Sequence, residues 1–128
     1  METALHAAGL SVPSATAAFL SPKGSLEILL AFFLIVVVAI AEETIFRGYL
    51  LLRFRAMMSY PAALLLSAAI FSLGHGYEGT AGMLTVGCMG LIFALVFEWR
   101  RSLVAPMVMH FLQDFTVIVL LPMLRSIH

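Results

Sequence analysis

Long apolar runs divide this chain into four segments. They cover roughly residues 26–52, 61–75, 81–97 and 103–121. A helix needs about 20 mostly apolar residues, at a rise of ~1.5 Å each, to cross the hydrocarbon layer of a bilayer. The pattern therefore predicts an all-α fold, a polytopic membrane helix bundle with about four transmembrane helices, of which the second is short.

Polar breaks separate the predicted helices and read RFRAMMSYP, GYEGTAG and EWRRS. Pro61 suits the first turn of the second helix, and Pro106 is expected to start or bend the fourth. The first and third breaks, on one side of a four-helix bundle, hold four arginines: Arg53, Arg55, Arg100 and Arg101. The other side holds only Lys23 and Arg125, so the positive-inside rule predicts cytoplasmic arginine-rich loops and an external amino terminus.

The composition also indicates a membrane protein. Hydrophobic residues make up 62% of the chain and charged residues 11%, whereas soluble domains carry about 25% charged residues. The net charge is zero and no basic patch suggests nucleic acid as a partner. Residues 1–25 lack the pattern of a secretory signal and contain Pro13, Pro22 and Gly24, which predicts a loose or interfacial N-terminal segment.

Three charged residues interrupt the first predicted helix directly after the uncharged run ILLAFFLIVVVAIA. A charge at mid-membrane costs roughly 2.5–3.5 kcal/mol even on lenient scales, so it usually serves a function or has a partner. Glu43 and Arg47 are four residues apart on one helix face, which predicts an ion pair. Glu42 is rotated about 100° from Glu43 and must face another helix.

Two other segments carry polar side chains at a comparable depth. FSLGH contains Phe71 and His75, and HFLQD contains His110 and Asp114. Measured from the arginine side, Glu42, His110 and His75 lie ~16, ~14 and ~21 Å deep at the helical rise, within a layer of about 30 Å. We therefore predict one polar pocket formed by three helices: Glu42, Glu43, His75, His110 and Asp114.

This set of side chains suits hydrolysis of a peptide bond. A carboxylate beside an imidazole can deprotonate a water molecule, and a second imidazole can stabilise the resulting oxyanion. Alternatively, Glu42, His75 and His110 could hold zinc with an open fourth position. The sequence lacks HExxH, and it shows no serine or cysteine triad, because no motif places a base beside Ser67, Ser72 or Cys88.

The blocks EETIFR, FSLGH and HFLQD resemble the three motifs of the CPBP family (CAAX protease and bacteriocin-processing, also called Abi) of intramembrane endopeptidases. Those motifs are a Glu pair with Arg four residues after the second Glu, Phe with His four residues later, and His with Asn or Asp four residues later. The resemblance covers roughly residues 28–121. It implies that residues 26–128 form a CPBP/Abi-like protease core.

The resemblance also implies catalytic roles. Glu42 would be the general base, helped by His75, and His110 and Asp114 would face the oxyanion. Asp114 stands where asparagine is common, and an ionised aspartate cannot donate a hydrogen bond. Asp114 is therefore expected either to keep its proton and donate, or to accept a hydrogen bond from His110 and orient it.

The remaining motif residues have supporting roles in this interpretation. Glu43 completes the acidic pair, and together with Arg47 it is expected to be structural or to orient the substrate. Phe71 is expected to pack against His75. The resemblance favours a metal-free, glutamate-type mechanism without a cofactor, and a zinc metalloprotease is the alternative.

The leading hypothesis is an intramembrane endopeptidase of the bacterial cell membrane. Its substrate would be a prenylated (CAAX) tail, a bacteriocin leader or a small membrane protein. The alternatives are a non-catalytic immunity or scaffold factor and a proton carrier, although the absence of an inverted repeat argues against a transporter. Family members usually carry more helices before the first motif, so we expect a short member, a fragment or a homo-oligomer.

Overall fold

The structure, a computed structural model, describes residues 7–10 and 22–125. Within this part the chain is helical and contains no strand, which confirms the predicted all-α bundle. Short turns join its helices, which are α1 (Ser25–Met57), α2 (Tyr60–Gly74), α3 (Gly79–Arg100) and α4 (Val104–Phe115, continued by Thr116–Leu120 and Leu121–Arg125). The predicted N-terminal segment falls largely outside the described residues.

Three of these helical stretches are long and apolar enough to cross a membrane: Ser25–Met57, Gly76–Arg100 and Val104–Leu124. The 15 residues of α2 span only about 22 Å at the helical rise, less than a ~30 Å hydrocarbon layer. Large apolar side chains such as Phe33, Leu65 and Leu84 point outward and are exposed. A surface of this kind is stable in lipid, and the chain is an integral membrane protein.

The helix ends agree with the proline pattern of the sequence. Pro61 lies in the first turn of α2, where its missing N–H removes no helical hydrogen bond. Pro106 lies in the first turn of α4 and is buried, so it starts that helix instead of bending it. At the end of α3, Arg101 has φ 52°, a left-handed conformation that stops the helix before α4.

The second half of α1 contains a π-helical segment, Thr44–Leu51. In an α-helix, residues four apart are rotated by about 40°, so a four-residue stride gradually leaves one face. A π-helix bonds residue i to i+5 and takes more residues per turn, which counteracts this rotation. The buried positions of α1 recur every four residues: Ile35, Ala39 and Glu43 lie in its α-helical part, and Arg47 and Leu51 continue the same face through the π-helical segment.

Packing places the three motif-bearing helices around a common interior. α3 packs along α2, and α4 packs against α1 and α3. At the arginine end of the bundle a small apolar core contains Leu51, Ala63, Leu64 and Ala94. There Arg55 donates a hydrogen bond to Glu98. Because Arg55 belongs to the first polar break and Glu98 to the third, these two breaks lie at the same end of the bundle, as predicted.

Candidate active site

The carboxylate of Glu42 lies between two imidazole rings inside the bundle. Its Oε2 atom is 3.9 Å from His75 Nε2 and 3.9 Å from His110 Nε2. This oxygen is buried and has no hydrogen-bond partner within the described part of the chain. Both distances exceed a direct hydrogen bond, and buried polar atoms are rarely left unpaired. The geometry suits a further polar group, such as a water molecule, bound to the carboxylate and an imidazole together.

His75 follows the last residue of α2, and the carbonyl of Phe71 determines its tautomer. The Nδ1 atom is 2.8 Å from the Phe71 carbonyl oxygen, which can only accept, so Nδ1 carries a proton. In the neutral ring, Nε2 then presents its lone pair towards Glu42. The Phe71 ring packs 4.8 Å from the His75 ring, centroid to centroid. This contact is the one predicted for Phe71.

Both ring nitrogens of His110, on α4, lie near carboxylates. Nδ1 lies 2.9 Å from Glu43 Oε1, and this carboxylate oxygen makes Nδ1 a donor. Nε2 points to Glu42 and is 3.5 Å from Asp114 Oδ2. The side chain is only 4% exposed, so the ring lies in the interior while one edge reaches the Glu42 carboxylate.

The predicted ion pair within α1 forms, and it also contacts two other helices. Arg47 Nη1 donates to Glu43 Oε1 at 2.8 Å, and Arg47 Nη2 donates to the Gly90 carbonyl oxygen of α3 at 2.7 Å. Both side chains are almost completely buried. Glu43 Oε1 therefore accepts hydrogen bonds from both Arg47 and His110. The ion pair within α1 thus also orients the imidazole of α4.

The structure brings all the predicted site residues together, in two layers. Glu42, His75 and Asp114 keep side-chain exposures of 28%, 16% and 22%, so a substrate can reach them. Glu43 and Arg47 lie behind this layer, without solvent contact. The predicted pocket is therefore present as a geometric arrangement, while the chemical role of each residue stays a prediction.

Sequence reasoning assigned no role at this site to α3, although the helix contributes two contacts. The Gly90 carbonyl binds Arg47, and the Phe93 ring stacks on His110 with centroids 5.4 Å apart and an angle of 28° between the planes. The sequence signal was weak: a glycine and an aromatic residue three positions apart share a helix face.

The zinc alternative can be compared with the positions of its candidate ligands. Two donors on one tetrahedral zinc, each about 2.0–2.1 Å from the metal, lie about 3.4 Å apart, whereas Glu42 Oε2 is 3.9 Å from each imidazole nitrogen. Among residues 7–10 and 22–125, no group of three or more His, Cys, Asp or Glu side chains is placed to hold a metal ion. The side chains, as positioned, do not form a zinc site.

The chain is similar to a family of known proteins. A protein-family model described as "Type II CAAX prenyl endopeptidase Rce1-like" matches residues 24–116. The matched region begins just before α1, ends in the π-helical segment of α4 and includes all three motifs. No curated protein and no solved structure gives a significant match.

Proposed function

The chain belongs to the Rce1-like family of type II CAAX prenyl endopeptidases, and from this membership we propose that it cleaves a peptide bond within the membrane with a water molecule activated by Glu42 and His75. The observation that supports this mechanism most is the buried Glu42 Oε2, which has no hydrogen-bond partner among residues 7–10 and 22–125 and lies 3.9 Å from two imidazole nitrogens. The substrate we propose is a peptide with a prenylated CAAX tail, as the family description suggests.

In the proposed first step, the water proton moves to the Glu42 carboxylate while the water oxygen attacks the scissile carbonyl carbon. His75 assists because its Nδ1–H is bound to the Phe71 carbonyl, which leaves Nε2 to accept the other hydrogen of the water. The tetrahedral intermediate then collapses, and the proton held by Glu42 passes to the leaving amine. All atoms come from the peptide and one water, and no cofactor takes part.

His110 would stabilise the oxyanion of this intermediate. Its Nδ1 donates to Glu43, so Nε2 can donate as well only when the ring carries both protons. The carboxylates of Glu42 and Glu43 lie beside the two ring nitrogens and suit such a cation. A preorganised charged donor of this kind acts strongly because the buried site contains little water.

Peptide cleavage tests the proposal, with variants that retain the local hydrogen bonds. In His75→Asn and His110→Asn the side-chain amide can still donate to the Phe71 carbonyl or to Glu43, so folding should be preserved while Nε2 is lost. We expect the full-length protein in detergent to cleave a fluorogenic prenylated CAAX peptide, and each variant to be slower by about 10²–10⁴-fold. Circular dichroism measures folding.

Two further measurements separate the proposal from its alternatives. A chelator should leave cleavage unchanged, and loss of activity that returns with added zinc would support the metalloprotease. If the folded wild type cleaves neither prenylated nor unprenylated peptides, nor a bacteriocin leader, the immunity or scaffold interpretation replaces the enzyme. Cleavage of an unprenylated peptide at the same rate would contradict the proposed substrate class.

Replacement of Asp114 distinguishes its two roles through the pH dependence of cleavage. If Asp114 donates a hydrogen bond, it must keep its proton, so wild-type kcat falls as rising pH removes that proton. Asp114→Asn keeps a donor at every pH, and we expect it to retain kcat and to lose this alkaline decline. A decline that persists in Asp114→Asn would assign it to another group and favour the accepting role.

We also propose that the arginine-bearing end of the bundle faces the cytoplasm of a bacterial cell. Arg53, Arg100 and Arg101 are exposed there, beside the exposed Trp99, as is typical of an interfacial belt. A cysteine introduced at Arg100 in a Cys88→Ser background should resist a membrane-impermeant thiol reagent in intact cells and react after lysis. Equal labelling before lysis would reverse the orientation.

A further inference from the structure

Helix α3 carries none of the three motifs, yet it contributes one side of the site. Gly90 and Phe93 lie three residues apart on its buried face, and Phe93 is 1% exposed. Both contact the second layer of the pocket, where Arg47 and His110 bind Glu43. The function of α3 at this site therefore depends on two residues without ionisable groups.

Gly90 lets the backbone of α3 approach Arg47. A Cβ atom at this position would lie 2.8 Å from Phe71 Cδ1 and 3.3 Å from Arg47 Nη2. The first distance is shorter than real Cβ contacts, and Phe71 is itself buried. A side chain at Gly90 would therefore displace Phe71, which supports His75, or lengthen the 2.7 Å hydrogen bond from Arg47 to the Gly90 carbonyl.

Phe93 fixes the plane of the His110 ring. A hydrogen bond from Nδ1 to Glu43 restrains one atom of an imidazole, and rotation about the bond from Cβ to the ring is otherwise broad. Phe93 stacks on one face at 28°, and Phe71 meets the ring edge-on, with centroids 5.9 Å apart. The same two aromatic rings lie 5.4 and 4.6 Å from Arg47 Cζ, where cation–π attraction holds the guanidinium.

We propose that Gly90 and Phe93 are positioning residues that aim His110 Nε2 at the reacting carbonyl. The inference rests on the proposed function, because it gives these residues a role in that reaction. Loss of the stack lets the imidazole tilt and moves Nε2, which lies on the side of the ring opposite its attachment at Cγ. A misplacement of about 1 Å at a reacting group can cost around 10²-fold in rate.

Phe93→Leu tests the inference, because leucine keeps an apolar side chain but removes the ring. We expect kcat for the prenylated CAAX peptide to fall by about 10–100-fold and KM to change less than twofold, because peptide binding does not require the stack. The control is Phe97→Leu, one turn further along α3, where the ring packs on the apolar core at the arginine end. This control should leave kcat near the wild-type value.

A double-mutant cycle separates positioning from general damage. In a His110→Asn background no imidazole remains to be aimed, so Phe93→Leu should lower the residual kcat less than twofold. A full additional loss in that background, or equal kcat for the Phe93→Leu and Phe97→Leu variants, would overturn the inference. A wild type without cleavage would contradict the proposed function instead, so the two failures are distinguishable.

Gly90→Ala provides an independent variant with its own control. The added methyl should lower kcat by a similar 10–100-fold, through Phe71 and Arg47. Gly87→Ala places a methyl 3.3 Å from Ser72 Cβ, one turn away and outside the site, and should keep wild-type kcat. Cleavage by Gly90→Ala at the wild-type rate would contradict the role of Gly90.

Discussion

Glu42→Gln is expected to abolish measurable cleavage, with a loss of at least about 10²–10⁴-fold in kcat, while the bundle stays folded. The amide cannot take a proton from water. The adjacent Glu43 does not replace it, because that side chain has no solvent exposure and its Oε1 is already bound by Arg47 and His110. The measurement is kcat with the prenylated CAAX peptide, beside thermal unfolding followed by circular dichroism.

The same variant should retain the stability of the wild type. Glu42 Oε2 makes no hydrogen bond within the described residues, so replacement of the carboxylate by an amide of the same shape breaks no hydrogen bond of that oxygen. If Glu42 instead has a structural role, the fold requires its charge, and Glu42→Gln should lower the stability. Thermal unfolding at a clearly lower temperature, together with normal cleavage, would give Glu42 a structural role and contradict its role as general base.

Glu27→Gln is the matched control for this experiment. Glu27 lies in the first turn of the same helix, is exposed, and accepts a hydrogen bond from the Lys23 backbone N–H. It is far along the helix from the pocket, so both cleavage and stability should stay near wild type. A Glu42→Gln enzyme that cleaves as fast as the Glu27→Gln enzyme would rule out the general base proposed above.

Arg47→Ala should destabilise the protein by about 3–5 kcal/mol, the usual effect of removing one partner of a buried ion pair. The loss leaves Glu43 charged and without solvent contact, with His110 as its remaining hydrogen-bond donor. Unfolding in mixed micelles with increasing denaturing detergent measures the free energy. The control is Arg53→Ala, an exposed arginine beside Tyr49, for which the change should stay below about 1 kcal/mol.

A double variant shows whether the ion pair serves stability alone. Glu43→Gln with Arg47→Met removes both charges and keeps an amide oxygen that can accept from His110 Nδ1. Replacement of a buried ion pair by neutral groups is often nearly neutral in free energy, so stability should recover most of the loss. Cleavage should stay low, because His110 no longer has the carboxylate that favours its cation. If the double variant recovered both wild-type stability and wild-type cleavage, the Glu43–Arg47 ion pair would have a structural role only.

The helices themselves were predictable from the sequence because lipid restricts the possible structures. Backbone groups in hydrocarbon must bond within their own segment, so long apolar runs form helices. The predicted ends were less accurate: α1 continues past Leu52 to Met57 and α3 begins at Gly79. Arginines at such ends extend a helix beyond its apolar run, because their long side chains reach the interface.

The direction of side chains within α1 was only partly predictable. The prediction of the Glu43–Arg47 ion pair was correct, because side chains four positions apart in one helix lie next to each other. The continuation of the buried face from Glu43 to Arg47 and Leu51, however, depends on the π segment Thr44–Leu51. No periodicity of apolar residues indicates such a segment, because it changes the number of residues per turn without changing composition.

By itself, the sequence determined four apolar helices and the ion pair within α1, and it predicted comparable membrane depths for Glu42, His75 and His110. These features depend on distances along one helix, which a constant rise and period set. Only the tertiary structure decided that Glu42 lies between two imidazoles, that Glu43 binds His110, and that Gly90 and Phe93 complete the site. Contacts of this kind depend on how each helix rotates and packs against its neighbours, and no local pattern specifies that rotation.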